Sequence, residues 1–159
     1  MGMTRTYLKD ANLEFQDTAT IAADVVGKVA AVAKIIDFGG AHNVSGDLVI
    51  RVTAMEIASS DEQYDVVLQG SSSATFASDI NTLGRYTMGA KEVLGVASIG
   101  VVDKDGATGT HVMPFHNHLV NEDGDQQSFR YLRVVHDVTG TIATGITYES
   151  IYASNLKGN

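Results

Sequence analysis

The chain has 159 residues, no cysteine and a formal net charge of −8 at pH 7, and its length suits one domain with a sizeable core. Without cysteine it has no disulfide, no thiol catalyst and no thiolate metal site. The acidic excess argues against nucleic acid and anionic membranes as partners, because lysine and arginine supply most of that binding. No apolar run approaches the roughly 18 residues of a membrane span, and no signal-peptide pattern opens the chain, so we expect it to stay where it is synthesised.

Residues 1–24 are predicted to form an extended N-terminal arm. Their apolar residues, including Leu13 and Phe15, are scattered without a sustained period. We expect this arm to lie on the rest of the protein or on a neighbouring subunit. Residues 25–159 contain no linker and no internal repeat, so they are predicted to form a single domain.

The alanine- and valine-rich stretch over 20–34 permits two interpretations. Ile21, Val25 and Val29 have the spacing of one face of a helix. We favour extended chain that leads to a strand over 32–38, since the glycine pair that follows would end such a strand.

Period-two alternation of apolar and polar residues indicates the remaining strands. In the clearest of them, Leu48, Ile50 and Val52 face the same way. This strand spans 48–55, the others span 64–69, 93–102 and 111–120, and a closing antiparallel pair lies within 128–152, separated at Thr139-Gly140. Residues 76–86 show no clear pattern.

About eight short strands separated by glycine, aspartate and serine turns predict an all-β fold, an antiparallel β-sandwich. A jelly roll is among the commonest ways to join eight such strands. We expect the strands over 48–55 and 64–69 to be antiparallel neighbours in one sheet. The turns predicted at Asp103–Gly106 and Asn121–Asp125 carry the Asp-Gly signal of a hairpin.

One group of residues has the chemistry of a metal site. His116 and His118 are two apart on a predicted strand, so they point to the same face, and Glu122 follows at a turn. This pattern resembles the first half of the cupin motif, in which imidazole and carboxylate hold a divalent metal. The second cupin motif, with its proline-glycine turn, is missing because Pro114 is the only proline. We therefore assign no metal and no cofactor, and keep a cupin-like metal-dependent enzyme as an alternative.

No other motif predicts catalysis. The stretch Gly84–Lys91 approaches a phosphate loop, but Ala90 separates its glycine from its lysine. No serine sits in a Gly-x-Ser-x-Gly elbow. We predict that the protein is not an enzyme and has no catalytic residue.

The order of several stretches resembles the capsid cement (decoration) proteins of tailed bacteriophages, the small jelly-roll type that forms trimers. Each stretch is structural and unspecific by itself, so the resemblance depends on their order. It covers most of the chain and rests on Lys9–Asp17, Ile35–Gly39, Gly46–Val52, Tyr64–Ser71, Pro114–Asn117, Arg130–Val134 and Thr144–Thr147.

The resemblance implies a structural virion protein without catalytic activity. It implies a homotrimer whose partner is the major capsid protein, located on the capsid surface and in the host cytoplasm before assembly. The interface candidates are Leu13 and Phe15 on the arm and Arg130, Tyr131 and Arg133 near the closing strands, since arginine and tyrosine are enriched at interfaces.

A lectin-like domain or a tail-fibre binding module is a third interpretation. Sandwiches of this kind often bind sugars through aromatic side chains in their loops. The chain has no tryptophan and only 7% aromatic residues, which disfavours this interpretation.

Overall fold

The computed structural model describes residues 11–40, 43–90, 93, 108–120 and 122–154. This part of the chain is built almost entirely of strands, after one 3₁₀ turn at Ala11–Leu13. It contains no helix with the length and apolar content that a membrane span requires. The strands are β1 (Glu14–Ile21), β2 (Val25–Val26), β3 (Lys28–Val29), β4 (Val32–Ala33), β5 (Ile36–Asp37), β6 (Ser45–Met55), β7 (Gln63–Ser71), β8 (Asn81–Gly89), β9 (Gly109–His116), β10 (His118–Val120), β11 (Gln126–Ser128), β12 (Tyr131–Thr139) and β13 (Ile146–Ser154).

The strands form two packed antiparallel sheets, which confirms the predicted all-β sandwich. The first sheet has the order β1-β13-β6-β9. The second has the order β2-β12-β7-β8, and β5 also pairs with β12. Two small hairpins, β3–β4 and β10–β11, extend from this framework.

The core lies between the two sheets and follows the predicted alternation. Leu48, Ile50 and Val52 of β6 and Leu132 and Val134 of β12 are all at most 3% exposed. Burying one such side chain completely stabilises the fold by about 1.5–3 kcal/mol relative to leaving it in water. Other large members of the same cluster are Phe15, Tyr64, Leu68, Met88, Phe115, Phe129, Ile146 and Tyr148.

Both strand pairs that were predicted to be antiparallel neighbours lie in opposite sheets, so the predicted pairing was wrong. β6 bonds to β9 and β13, whereas β7 bonds to β8 and β12. The closing strands β12 and β13 are separated in the same way. Their connections over 56–62 and 140–145 are longer than a two-residue hairpin turn and cross the roughly 10 Å between packed sheets.

A carboxylate holds these two connections together at one end of the sandwich. Glu56 accepts hydrogen bonds from the backbone N–H groups of Ala143, Thr144 and Gly145, the last at 2.7 Å. These donors lower the pKa of Glu56, and the N–H of Gly145 contributes most. The connection that brings the chain from β12 to β13 is therefore fixed by a residue that follows β6.

Most of the described part of the predicted arm belongs to the sandwich. β1 is an edge strand of the first sheet and pairs with β13. Phe15 is completely buried, and Leu13 is half-buried in the 3₁₀ turn. Residues 1–10 lie outside the described part.

The strand predicted over 32–38 is divided. Residues 32–33 pair with β3 in a hairpin, and residues 36–37 pair with β12. Ala30 and Ala31 form the hairpin turn with φ values of 51° and 64°, a backbone region in which glycine and asparagine are usual. Two alanines give no turn signal, which is why the break was not predicted. Beyond its first residue, the strand predicted over 93–102 lies outside the described residues, as does the turn Asp103–Gly106.

Candidate functional site

Arg130, which directly precedes β12, is held in one orientation. Its Nε and Nη2 donate hydrogen bonds of 2.7 and 2.8 Å to the two carboxylate oxygens of Asp37. Its guanidinium lies 5.0 Å from the centroid of the Tyr131 ring. The hydrogen bond from Arg130, helped by the N–H of Gly39, lowers the pKa of Asp37 to about 2. A two-point contact of this kind fixes the plane of the guanidinium.

Arg133 points to the same outer face of the second sheet. Its Nε donates a hydrogen bond of 3.0 Å to Oε1 of Gln69. Its guanidinium carbon lies 4.2 Å from the centroid of the Phe76 ring, within the range of a cation–π contact. Phe76 comes from the β7–β8 connection and is 5% exposed. Partial burial lowers the pKa of Arg133.

A third arginine, which the sequence did not indicate, lies on β8. Arg85 donates through Nη1 to the buried carboxylate of Asp65 and, at 3.3 Å, to Asp137. Asp65 and Asp137 are directly opposite each other on β7 and β12, where two carboxylates repel. Arg85 offsets that repulsion, and the hydrogen bond to Asp65 is the main reason that the pKa of Arg85 is raised.

We call the set Arg85, Arg130, Tyr131 and Arg133 the arginine face. The side chains of Arg85 and Arg130 keep 49% and 47% of their surface exposed although their polar ends are bonded. Arginine and tyrosine are the residue types that most often dominate protein interfaces. Because the protein itself already orients these side chains, a partner that binds them loses less rotamer freedom on association.

The five predicted interface residues are not brought together. Arg130, Tyr131 and Arg133 share the arginine face, and Tyr131 and Arg133 are half-buried. Leu13 lies in the turn that precedes the first sheet, and Phe15 is enclosed in the core. Phe15 therefore cannot contact a partner in this fold, because its ring is buried between the two sheets.

The cupin-like set does not assemble either. The rings of His116 and His118 are close, with centroids 5.2 Å apart. Glu122 is exposed in the turn of the β10–β11 hairpin, beyond Val120. In the described part of the chain, no three His, Cys, Asp or Glu residues come together as metal ligands.

Asn117 separates the two histidines and anchors the chain between β9 and β10. Its backbone N–H donates to the carbonyl of Val44, and its Oδ1 accepts from the N–H of Val44 at 2.7 Å. Its Nδ2 donates to the carbonyl of Phe129 at 3.1 Å, and the N–H of Phe129 donates to the backbone carbonyl of Asn117. Asn117 is 1% exposed, so the amide side chain is a structural bridge between three segments.

A buried histidine and tyrosine form a polar contact between the sheets. His136 of β12 is 2% exposed and Tyr148 of β13 is fully buried. Nδ1 of His136 lies 2.8 Å from the carbonyl oxygen of Val25, and Nε2 is hydrogen-bonded to the Tyr148 hydroxyl. Burial lowers the pKa of His136 to about 4 and raises the pKa of Tyr148. Sequence alternation places His136 on the core side, but histidine gives no signal of burial.

Comparison with models of known protein families gives no match to this chain, and comparison with curated protein sequences gives none.

Proposed function

We propose that this protein is a structural virion component, a capsid cement protein that binds a tailed-phage shell as a homotrimer. The sequence resemblance to such proteins and the antiparallel sandwich both support the proposal. The observation that carries it is the arginine face, a set of three arginines and a tyrosine fixed on the outside of one sheet.

We also propose that the sandwich is a jelly roll. β1 pairs with β13, β2 with β12, β6 with β9 and β7 with β8. The first of these strands pairs with the last, and each following pair lies between the members of the previous pair in the sequence. A long hairpin that is folded across itself to make two sheets has this order of pairs. This nesting supports the jelly-roll arrangement of eight strands.

The arginine face suits a subunit contact better than a contact with a polyanion. Each arginine already has an acidic, amide or aromatic partner within the chain, and the whole chain carries a net charge of −8. A second protein surface gains from such oriented, partly neutralised side chains through stacking and directed hydrogen bonds. In the proposed trimer, Arg130, Tyr131 and Arg133 contact a neighbouring copy.

The proposed mechanism is stabilisation by preferential binding. A trimer that binds the assembled shell more tightly than free capsid subunits shifts the equilibrium toward the shell. Three binding surfaces on one trimer act together, because binding of the first raises the effective concentration of the others. Small contacts repeated over the shell then add to strong retention.

The test combines oligomeric state with shell binding. Untagged protein is measured by light scattering, where a trimer has three times the 16.9 kDa of the chain. It is then mixed with bare tailed-phage shells assembled from a major capsid protein and sedimented. We expect trimers that sediment with the shells, and we expect the double variant Arg130→Ala/Arg133→Ala to lose the trimer.

Arg51 provides a matched control. It lies on β6 in the other sheet, is 44% exposed and donates a 2.9 Å hydrogen bond to Glu149. Arg51→Ala removes an equally exposed, ion-paired arginine and should leave both trimer and shell binding intact. A monodisperse monomer that does not bind bare shells would contradict the proposal. A double variant that keeps the trimer and binds shells as Arg51→Ala does would also contradict it.

A further inference from the structure

The His116–Asn117–His118 segment is held so that both imidazoles project from the same side. The buried Asn117 is bonded to Val44 and Phe129 through its backbone and its amide. Because Asn117 points inward, its two neighbours point away from the core. His116 is exposed and His118 is half-buried, so solvent reaches the pair on the side of His116.

The spacing of the rings matches a chelate. The two centroids are 5.2 Å apart, and the ring planes are inclined by 43°. Two imidazoles bound to one tetrahedral metal through M–N bonds of about 2.0–2.1 Å have centroids roughly 5 Å apart. The centroid separation of the pair therefore matches that of two rings that share one ion.

His118 provides a second, independent observation. Its Nδ1 is buried and has no hydrogen-bond partner among the described residues. A buried polar atom without a partner is uncommon in a folded protein, and a bound ion or water is one of the usual reasons for it. A metal bound through Nδ1 of His118 would supply the partner that this atom lacks.

We propose that His116 and His118 form a two-histidine site for a borderline divalent transition metal, represented here by Zn²⁺. Imidazole nitrogen suits zinc, nickel and copper, whereas calcium and magnesium prefer oxygen. Two protein ligands leave positions open for water or for a ligand from a second molecule. The site uses neither Glu122 nor a cupin arrangement, and it changes the sequence prediction that the chain binds no metal. It does not depend on capsid binding.

Calorimetric titration of the untagged full chain with Zn²⁺ tests the site. We expect saturable binding of one Zn²⁺ per chain and no binding of Mg²⁺ or Ca²⁺. His116→Ala and His118→Gln should each weaken Zn²⁺ binding by roughly tenfold or more, because a single imidazole forms no chelate. Bound Zn²⁺ should also raise the melting temperature of the wild type, since the fold holds the two rings together, whereas in the unfolded chain they meet only transiently.

His111→Ala is the matched control, because it removes a half-buried histidine from the same strand, β9, and should keep wild-type affinity. Circular dichroism without metal checks that each variant folds. If His118→Gln does not fold, His116→Ala decides, since that side chain is exposed. The proposal is overturned by a wild type that does not bind Zn²⁺, by His116→Ala with unchanged affinity, or by an equal loss in His111→Ala.

Discussion

The buried His136 makes the stability of the sandwich depend on pH. A backbone carbonyl can only accept, so Nδ1 of His136 carries the proton and donates to Val25 at 2.8 Å. Nε2 is then the acceptor for the hydroxyl of Tyr148. Neutral imidazole satisfies both partners, whereas a protonated ring would face the Tyr148 hydroxyl with a second donor inside the core.

The sign and size of the effect follow from the pKa values of the two states. The pKa of His136 is about 4 in the fold and 6.5 in its ordinary range. Between these values the unfolded chain binds more protons than the folded one, so the free energy of unfolding falls as the pH falls. The contribution of neutral His136 to the free energy of unfolding is complete above pH 6.5. About 3 kcal/mol of it is lost by pH 4, at roughly 1.4 kcal/mol per pH unit.

Urea unfolding of the wild type and of His136→Gln, from pH 7.5 to pH 4, isolates this contribution. Glutamine can donate to the Val25 carbonyl and accept from the Tyr148 hydroxyl, but it does not titrate. The carboxylates titrate alike in both proteins and cancel in the difference. We expect the stability of the wild type relative to the variant to decline by about 3 kcal/mol over this range. A difference that stays constant with pH would refute the reasoning.

Two further predictions concern the connections of the fold. Asn117→Ala should destabilise the protein by about 2–4 kcal/mol in urea unfolding, because it leaves the N–H of Val44 and the carbonyl of Phe129 without partners; a loss below 1 kcal/mol would contradict the bridging role. Gly145→Ala should lower the free energy of unfolding more than Gly124→Ala. Both glycines have positive φ, 89° and 86°. Only at residue 145 would a Cβ lie 2.2 Å from a backbone oxygen, whereas residue 124 has open space around it. Equal losses in the two alanine variants would show that the backbone conformation, and not the contact, sets the cost.

The sequence predicted the fold class because burial on one face leaves a period of two in strands such as β6 and β12. Leu48, Ile50 and Val52 show that period and are buried as predicted. β1 was missed for the converse reason. Its first three residues, Glu14, Phe15 and Gln16, are all buried, and a strand in which polar residues are buried beside an aromatic one has no visible alternation.

Strand pairing could not be predicted, because it depends on the distance that each connection between strands spans. Local sequence identifies a turn, but it does not say whether the chain returns along the same sheet or crosses to the other one. The β3–β4 turn shows the same limit at smaller scale, since Ala30 and Ala31 adopt positive φ with no residue that announces it. Here the surrounding hydrogen bonds, such as the 2.7 Å bond from the N–H of Ala30 to Asp17, select the conformation.

The five interface candidates from the sequence separate in the fold for a physical reason. Arg130 and Arg133 carry a charge that is costly to bury unpaired, and Tyr131 and Arg133 alternate with the buried Leu132 and Val134, so these residues lie on the outer face. Phe15 has no such restriction, and an apolar side chain near a chain end serves a core as well as a partner. Arg85 was missed because its significance lies in Asp65 and Asp137, two carboxylates that only the sheet places opposite each other. A surface built from cross-strand partners therefore becomes visible only when the register is known. A pair such as His116 and His118, two residues apart at the junction of β9 and β10, can be recognised from its spacing in the sequence.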